Sequence, residues 1–347
     1  MEEAPINDGA AAQDGGDNTP LYAIQPIPGM GLGLIATTRI PKGTRILSEL
    51  PIFKISYAES DPRVVMDHVA NALRDLDDAT QREFLRLENV NGQHDNPFLG
   101  ITLSNVKPLG PEVSEGGLFL DAARINHACR PNAHESWNEN IGRLTVHAIR
   151  DIGQGEEITT SYLIETMEHD KRQRELKNRF RLDCGCSLCS APLSRRKESD
   201  AWVQKIRMFE NLPIHKWYVD GSPGTDYEGA LLAVRGLLYF CKREGLYDAR
   251  ISSLYHDAFQ CSMKNGDEAR GRIFAERAYA ARVVVEGDDS PEAAKLAQFV
   301  RQPARHAQVP RGMGEVALEN WLWKQDPSFS ENEFEGSDDI VLVRVPR

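Results

Sequence analysis

The sequence predicts an α+β chain, with strands concentrated in its first half and helices in its second. Three observations carry this. From Leu21 to Tyr162, short apolar runs are cut by Gly, Pro and turn signals, which reads as several short strands. Over 57–95, and again after the middle of the chain, apolar residues recur at helical spacing. Between these regions "CGCSLC" places Cys184, Cys186 and Cys189 close enough for a short loop to fold them around one metal ion.

Residues 1–20 are acidic and rich in Gly and Ala, a composition expected of a disordered lead-in. They lack the basic start and apolar stretch of a signal peptide. "LYAIQPIPGMGLGLIATTRIPKGTRILSELPIFKI" follows as strands and tight turns. "DPRVVMDHVANALRDL" and "ATQREFLRLENV" then form a mainly helical insertion over 57–95. Strand and loop signals return from about Ile101, and "RLTVHAIRDIGQGEEITTSYL" alternates around a turn at "IGQGEE". A charged helix is expected over roughly Thr166–Phe180, then the cysteine loop, then "SAPLSRRKES" as a polar linker.

The helices after it have a rhythm. Leu231, Val234, Leu238 and Cys241 share one face; Ile251, Leu254, Ala258 and Cys261 share the next. "ARGRIFAERAYAARVVVEG" is a third helix. Gly245, Gly266 and Gly287 stand near the three stops, about 21 residues apart. That spacing reads as stacked helical hairpins, TPR-like in kind although not in period. Ser290 and Pro291 open a fourth helix as N-cap and first residue. The division is therefore a β-rich domain at 21–165, a cysteine loop at 166–190, a helical domain at 191–325 and an acidic flexible tail at 326–347.

The chain has 347 residues, 41% hydrophobic and 27% charged, within the range of globular proteins. Its net charge is −11, which argues against nonspecific nucleic-acid binding and favours basic partners such as Lys-rich segments. No apolar run is long enough for a transmembrane helix. Six cysteines in so long a chain point to a reducing compartment and to metal binding by the clustered ones.

A tetrahedral zinc site needs four ligands, and "CGCSLC" supplies three. Cys241 and Cys261 lie on apolar helix faces and read as core. Cys129, in the polar turn "RINHACRPN", is the best fourth ligand. On spacing alone an alternative stays open, in which Cys129 is a buried thiol and water or an outside group completes the site.

"RINHACRPN", then "AIRDIGQGEEITTSY", then "CGCSLC" resembles the SET-domain protein-lysine methyltransferases, in particular the SET-and-MYND branch and its fungal relatives. The resemblance covers Leu21 to about Ser190. It implies a SET β-fold of small, pseudoknot-like sheets, with a helical insertion and a post-SET zinc loop. It also implies that Cys129 shares one structural Zn2+ with Cys184, Cys186 and Cys189. Tyr162 would be the catalytic tyrosine beside S-adenosyl-L-methionine; on its own it would read as a strand-end core residue. Asn126 and His127 would hold the cofactor, and Asn carries the donor and acceptor for that task. "GMGLGL" matches an early glycine turn, with Met30, Gly31 and Gly33 beside the cofactor; alone it would be a strand turn, and no βαβ unit follows it. Asn105 in "LSNVKPL" resembles a cofactor-side asparagine.

Departures from the pattern are informative. Ala128 stands where Ser is usual. Phe180 replaces a Tyr that would line the lysine channel, and Leu182 replaces an aromatic over the adenine, keeping apolar contact without stacking. Lys107 puts a charge beside the substrate channel. The insertion holds no cysteine, so the zinc-binding MYND module is missing from it.

The implied function is S-adenosylmethionine-dependent methyl transfer to the ε-amine of a lysine in a histone or non-histone protein. The competing reading is a catalytically inactive SET-like scaffold whose TPR-like helices bind protein partners. Tyr162, Asn126 and His127 separate the two, because a degenerate site would lose some of them. The expected setting is intracellular, in nucleus or cytoplasm, with no direct nucleic-acid or membrane partner. His68, His94, His134, His147, His169, His215, His256 and His306 show no metal-ligand pairing, and Glu156 and Glu157 read as solvated or strand-edge residues.

Overall fold

The structure, a computed structural model, describes residues 20–59, 61–90, 92, 96–110, 114–210, 227–301 and 312–324. The lead-in before Pro20, the tail, and His94, His215 and His306 therefore lie outside the described residues. Contacts divide the chain into two units. The first comprises Met1–Ile164, Gln173–Ser187 and Val284–Pro291; the second comprises Glu165–Arg172, Leu188–Val283 and Glu292–Arg347.

The first unit is built on three small sheets, as the α+β reading expects. Strands β1 (Tyr22–Ile27) and β2 (Gly31–Ala36) form a hairpin. Next come β3 (Arg45–Glu49) and β4 (Phe53–Ser56). After the helical insertion come β5 (Lys107–Pro108), β6 (Glu115–Leu118), β7 (Asn126–His127), β8 (Ala133–Asn138), β9 (Arg143–Ala148) and β10 (Glu157–Thr160). The sheets run β1-β2-β10-β7, β3-β9-β8 and β4-β6-β5. In the first, β10 pairs antiparallel with β2 and parallel with β7, with Thr159 opposite Asn126 and Thr160 opposite His127. That parallel pairing brings distant segments side by side. Leu34, Ile40, Ile125, Val146, Ile152 and Ile158 are the fully buried centre of this β core.

Helices of the insertion start where their caps dictate. For α1 (Pro62–Arg74), Asp61 accepts from the Arg63 N–H and Pro62 takes the first position, where a missing N–H costs nothing. For α2 (Asp78–Leu85), Asp77 accepts from Ala79 and Thr80. For α3 (Pro97–Asn105), Asn96 accepts from Phe98 and Leu99. This last helix overturns the expectation of strand or loop from Ile101. "PFLGITL" is apolar on most sides and buried, so it has no helical period to read, and the Asn-Pro start decides the matter. The insertion closes over a second small core that includes Phe53, Val69, Phe84 and Leu118.

Helix α4 (His169–Phe180) is shorter than expected at its start. Helix α5 (Leu193–Glu210) corrects the linker reading of "SAPLSRRKES". Its Arg, Lys and Glu residues are good helix formers, and Ser199, Val203, Ile206 and Phe209 bury one face. Ser199 donates to Glu244, so a polar residue occupies a core position and hides the apolar period. Helices α6 (Tyr227–Arg243), α7 (Arg250–Lys264), α8 (Glu268–Glu286), α9 (Pro291–Arg301) and α10 (Glu315–Leu322) complete the described helices. Gly245, Gly266 and Gly287 follow α6, α7 and α8 at φ of 74°, 71° and 84°, the left-handed geometry of a C-terminal stop. Cys241 and Cys261 sit in the helical core, where burial pushes both thiols up to about 12.

One segment leaves the linear division of the sequence. Val284–Pro291, expected within the helical domain, belongs to the first unit. Asp289 is the reason: its carboxylate accepts from Arg45 and Asn138, and its carbonyl accepts from Asn140.

Candidate active site and metal centre

The candidate site forms where β2, β7 and β10 meet. Gly33 lies in β2, and a Cβ there would come within 2.6 Å of Ile27 Cγ1, 2.8 Å of Asn126 Nδ2 and 2.9 Å of Glu157 Oε1. Side chains from β1, β7 and β10 fill the space that a Cβ at this position would take, so any larger residue must push them aside. Asn126 Nδ2 donates to Glu157 Oε1 at 2.8 Å and to the Leu32 carbonyl at 3.2 Å, tying β7 to the glycine hairpin. Met30 closes that hairpin by donating its N–H to Ile27. Gly31 follows at φ 73°, with Glu88 Oε1 at 3.0 Å from where its Cβ would be.

The strand carrying Asn126 is positioned from below. Glu49 accepts from the N–H groups of Leu120, Asp121 and Ala122 at 2.6–3.1 Å, holding the turn that leads into Ile125. Burial raises the Glu49 carboxyl to about 6, against those three hydrogen bonds. Asn132 is 1% exposed and does the same for β10: Oδ1 accepts from Thr159 N–H, and Nδ2 donates to the Glu157 carbonyl and to Glu156. Sequence reasoning missed both, although Asn132 stands in the quoted "CRPN".

Tyr162 lies two residues past Thr160, the last residue of β10. Its hydroxyl donates to the Ile125 carbonyl at 2.8 Å, and its N–H donates to His127 Nδ1 at 3.0 Å. Its ring meets His127 at 5.2 Å and Phe180 at 5.1 Å between centroids. Burial first, then the charges of Glu135, Glu157 and Glu88, push the phenol well above its ordinary range. At neutral pH it is therefore a hydrogen-bond donor and not a base. Three carboxylates around one phenol also make a field that favours a cation. Lys107 offsets part of it through its ion pair with Glu135 at 2.8 Å, so the charge anticipated near the channel is already paired.

Not every candidate side chain reaches this cluster. Asn105 donates to the carbonyls of Glu88 and Ile101, so its amide holds the Glu88 segment. Leu182 is half-buried just past α4, after Arg181 takes the left-handed conformation (φ 53°) and Leu182 N–H caps the Leu176 carbonyl. That turn directs the chain into the cysteine loop.

Cys129, Cys184, Cys186 and Cys189 converge, with all four Sγ atoms within 4.8 Å of one another. Cys129 and Cys184 are 3.9 Å apart at sulfur. A tetrahedral ion with ~2.3 Å metal–sulfur bonds spaces its thiolates by about 3.8 Å, so the set fits one ion without a disulfide. Gln173 of α4 grips Cys184 from both sides, donating to its carbonyl at 2.9 Å and accepting from its N–H at 3.2 Å. Cys129, the residue that spacing alone left in question, lies with the three cysteines of the loop.

Three small sheets, a parallel strand pair presenting Asn-His, and a tyrosine just past the next strand define the class. A family profile described as "SET domain" matches residues 31–163, from the start of β2 to the residue after Tyr162. The chain is 33% identical over 290 residues to histone-lysine N-methyltransferase set5 of Schizosaccharomyces pombe (strain 972 / ATCC 24843), covering 83% of this chain and 86% of that one. It is 30% identical over 112 residues to human histone-lysine N-methyltransferase SMYD3, covering 29% of this chain and 25% of that protein. Against protein-lysine N-trimethyltransferase SMYD5 of Danio rerio it is 39% identical over 88 residues, 24% of this chain and 20% of the relative. This chain belongs to the SET-domain family of protein-lysine N-methyltransferases. Neither the fold nor the relatives favour the inactive scaffold. Among the described residues, no helix is long and apolar enough to cross a membrane.

Proposed function

We propose that this chain methylates the ε-amine of a lysine in a basic protein segment, with histones the first substrate to test. The observation that carries the reading is Tyr162. It is a neutral phenol just past β10, packed between His127 and Phe180 and within the field of Glu88, Glu135 and Glu157. The similar Schizosaccharomyces pombe protein is a histone-lysine N-methyltransferase by name. The acidic balance of this chain suits such a target.

The methyl donor in this reading is S-adenosyl-L-methionine, which supplies an electrophilic methyl on a sulfonium. Met30, Gly31, Gly33, Asn126 and His127 would hold it, with Leu182 against its adenine and Asn105 acting through the Glu88 segment. The carboxylates draw in the lysine ammonium; desolvation beside Phe180 and Tyr162, together with the sulfonium charge of the donor, would oppose their pull and release the proton to solvent. Tyr162 holds the phenolic proton throughout and orients the reacting groups. Phe180 and Lys107 would border the lysine channel. A tetrahedral set of four thiolates suits Zn2+, and Cys129, Cys184, Cys186 and Cys189 would hold it as a structural centre. Six free cysteines match a reducing compartment, nucleus or cytoplasm.

The test is transfer from radiolabelled S-adenosylmethionine to core histones and to a proteome extract, beside Tyr162→Phe. A labelled band that Tyr162→Phe loses supports the reading. Equal labelling by both proteins removes Tyr162 from the mechanism. Labelling of non-histone bands alone removes the histone assignment.

A further inference from the structure

We propose that the imidazole of His127 is a positioning strut that ties the cysteine cluster to the backbone of Tyr162. Tyr162 N–H lies 3.0 Å from His127 Nδ1, and a backbone N–H can only donate, so Nδ1 carries the lone pair. The neutral ring then holds its proton on Nε2, which is 3.4 Å from Cys129 Sγ. One buried side chain, 2% exposed, thus spans a metal-binding sulfur and a residue just past β10.

The backbone ladder cannot do this work. It ends with Thr160 opposite His127 and with Ala128 donating to the Thr160 carbonyl. Tyr162 lies two residues further on, beyond the ladder, and the imidazole reaches it there. A thiolate on a metal is a strong acceptor for the Nε2 proton, and such outer partners orient ligands and raise metal affinity. The strut works in both directions: the occupied cluster sets the ring, and the ring sets the Tyr162 backbone. This rests on Tyr162 being the transfer tyrosine.

The test uses the zinc-loaded full chain. Nitrogen-15 NMR of the histidine-labelled protein reads the tautomer directly. His127→Asn keeps an acceptor near the Nδ1 position, and His127→Gln keeps a donor near Nε2. For His127→Asn, zinc release to a chelator is expected to be about tenfold faster, and kcat on core histones, measured at saturating S-adenosylmethionine, is expected to fall less than for His127→Gln. For His127→Gln, zinc release is expected to stay near that of the unmodified protein, while kcat on core histones falls about tenfold or more at unchanged KM. An Nδ1–H tautomer overturns the proposal, as do two variants that lose zinc and turnover in parallel. Tyr162→Phe separates the failures. If it keeps full kcat while the tautomer and zinc-release results hold, the transfer assignment falls and the strut stands. If it is inactive and the two His127 variants do not split, the strut falls.

Discussion

Replacing Gly33 by alanine adds one methyl group where three atoms already stand within 3.0 Å. Gly33 is not among the left-handed residues, so the backbone itself tolerates alanine. The cost is therefore steric. Overpacking of this kind costs about 1–3 kcal/mol. Asn126 Nδ2 must also move, which weakens its charge-assisted bond to Glu157, worth about 1.5–3 kcal/mol when intact. Both groups are partly exposed, so the two terms overlap and about 2–4 kcal/mol is the expected loss. In a unit of this size each kcal/mol moves Tm by roughly 2–4 °C, so a fall of about 5–15 °C should appear in a thermal melt. Binding of S-adenosylhomocysteine, read by calorimetry, should weaken at least tenfold, because Asn126 is displaced from its place beside the hairpin. Gly142→Ala is the control: φ is 63° and a Cβ would meet nothing within 4 Å, so only backbone strain of about 1 kcal/mol applies. Gly33→Ala with unchanged Tm and ligand affinity, or less destabilised than Gly142→Ala, would refute the close-approach argument.

Chelation of the metal, or Cys129→Ser, should lower stability by about 3 kcal/mol or more and abolish cofactor binding together with it; a chelated protein with an unchanged melt would mean the four thiolates are not a structural centre. His147 is 1% exposed, and burial first, then Arg45, pushes its pKa down to about 4. Folded His147 resists a proton that the unfolded chain accepts, so its stabilising contribution is present above pH 6.5 and is lost as pH falls through 4, by about 3 kcal/mol. Glu49, raised to about 6, acts in the opposite sense, adding about 2 kcal/mol as pH falls from 6 to 4.5. Urea unfolding of His147→Gln should therefore show less acid loss than the parent, and identical pH slopes would refute the assignment. Lys107→Met leaves the Glu135 carboxylate unpaired and deepens the field at Tyr162; KM for core histones should fall a few-fold, and an unchanged KM would show that this field does not guide the substrate.

Several features were legible before any coordinates. Pro291 opens a helix at its first position, where the missing N–H costs nothing, a purely local effect. Gly245, Gly266 and Gly287 end helices for an equally local reason. The three ordered motifs named the family, and the thiol count pointed to Cys129. Other features were hidden. Helix α5 carries its core contacts on a Ser–Glu pair, and α3 is buried too evenly to show a period. Glu49, Asn132, Gln173 and Glu88 gave no signal, since each acts on a partner far off in sequence.

The amino-acid order thus settled residue types, local starts and stops, and the family, all consequences of interactions within a few positions. Tertiary structure alone decided that Asn126 bonds Glu157, that His127 stands between Cys129 and Tyr162, and that Asp289 joins the first unit. The Asn126 and His127 contacts depend on the parallel pairing of β7 with β10 and on burial. Neither is written in any short stretch, because both arise only when separated segments exclude water together.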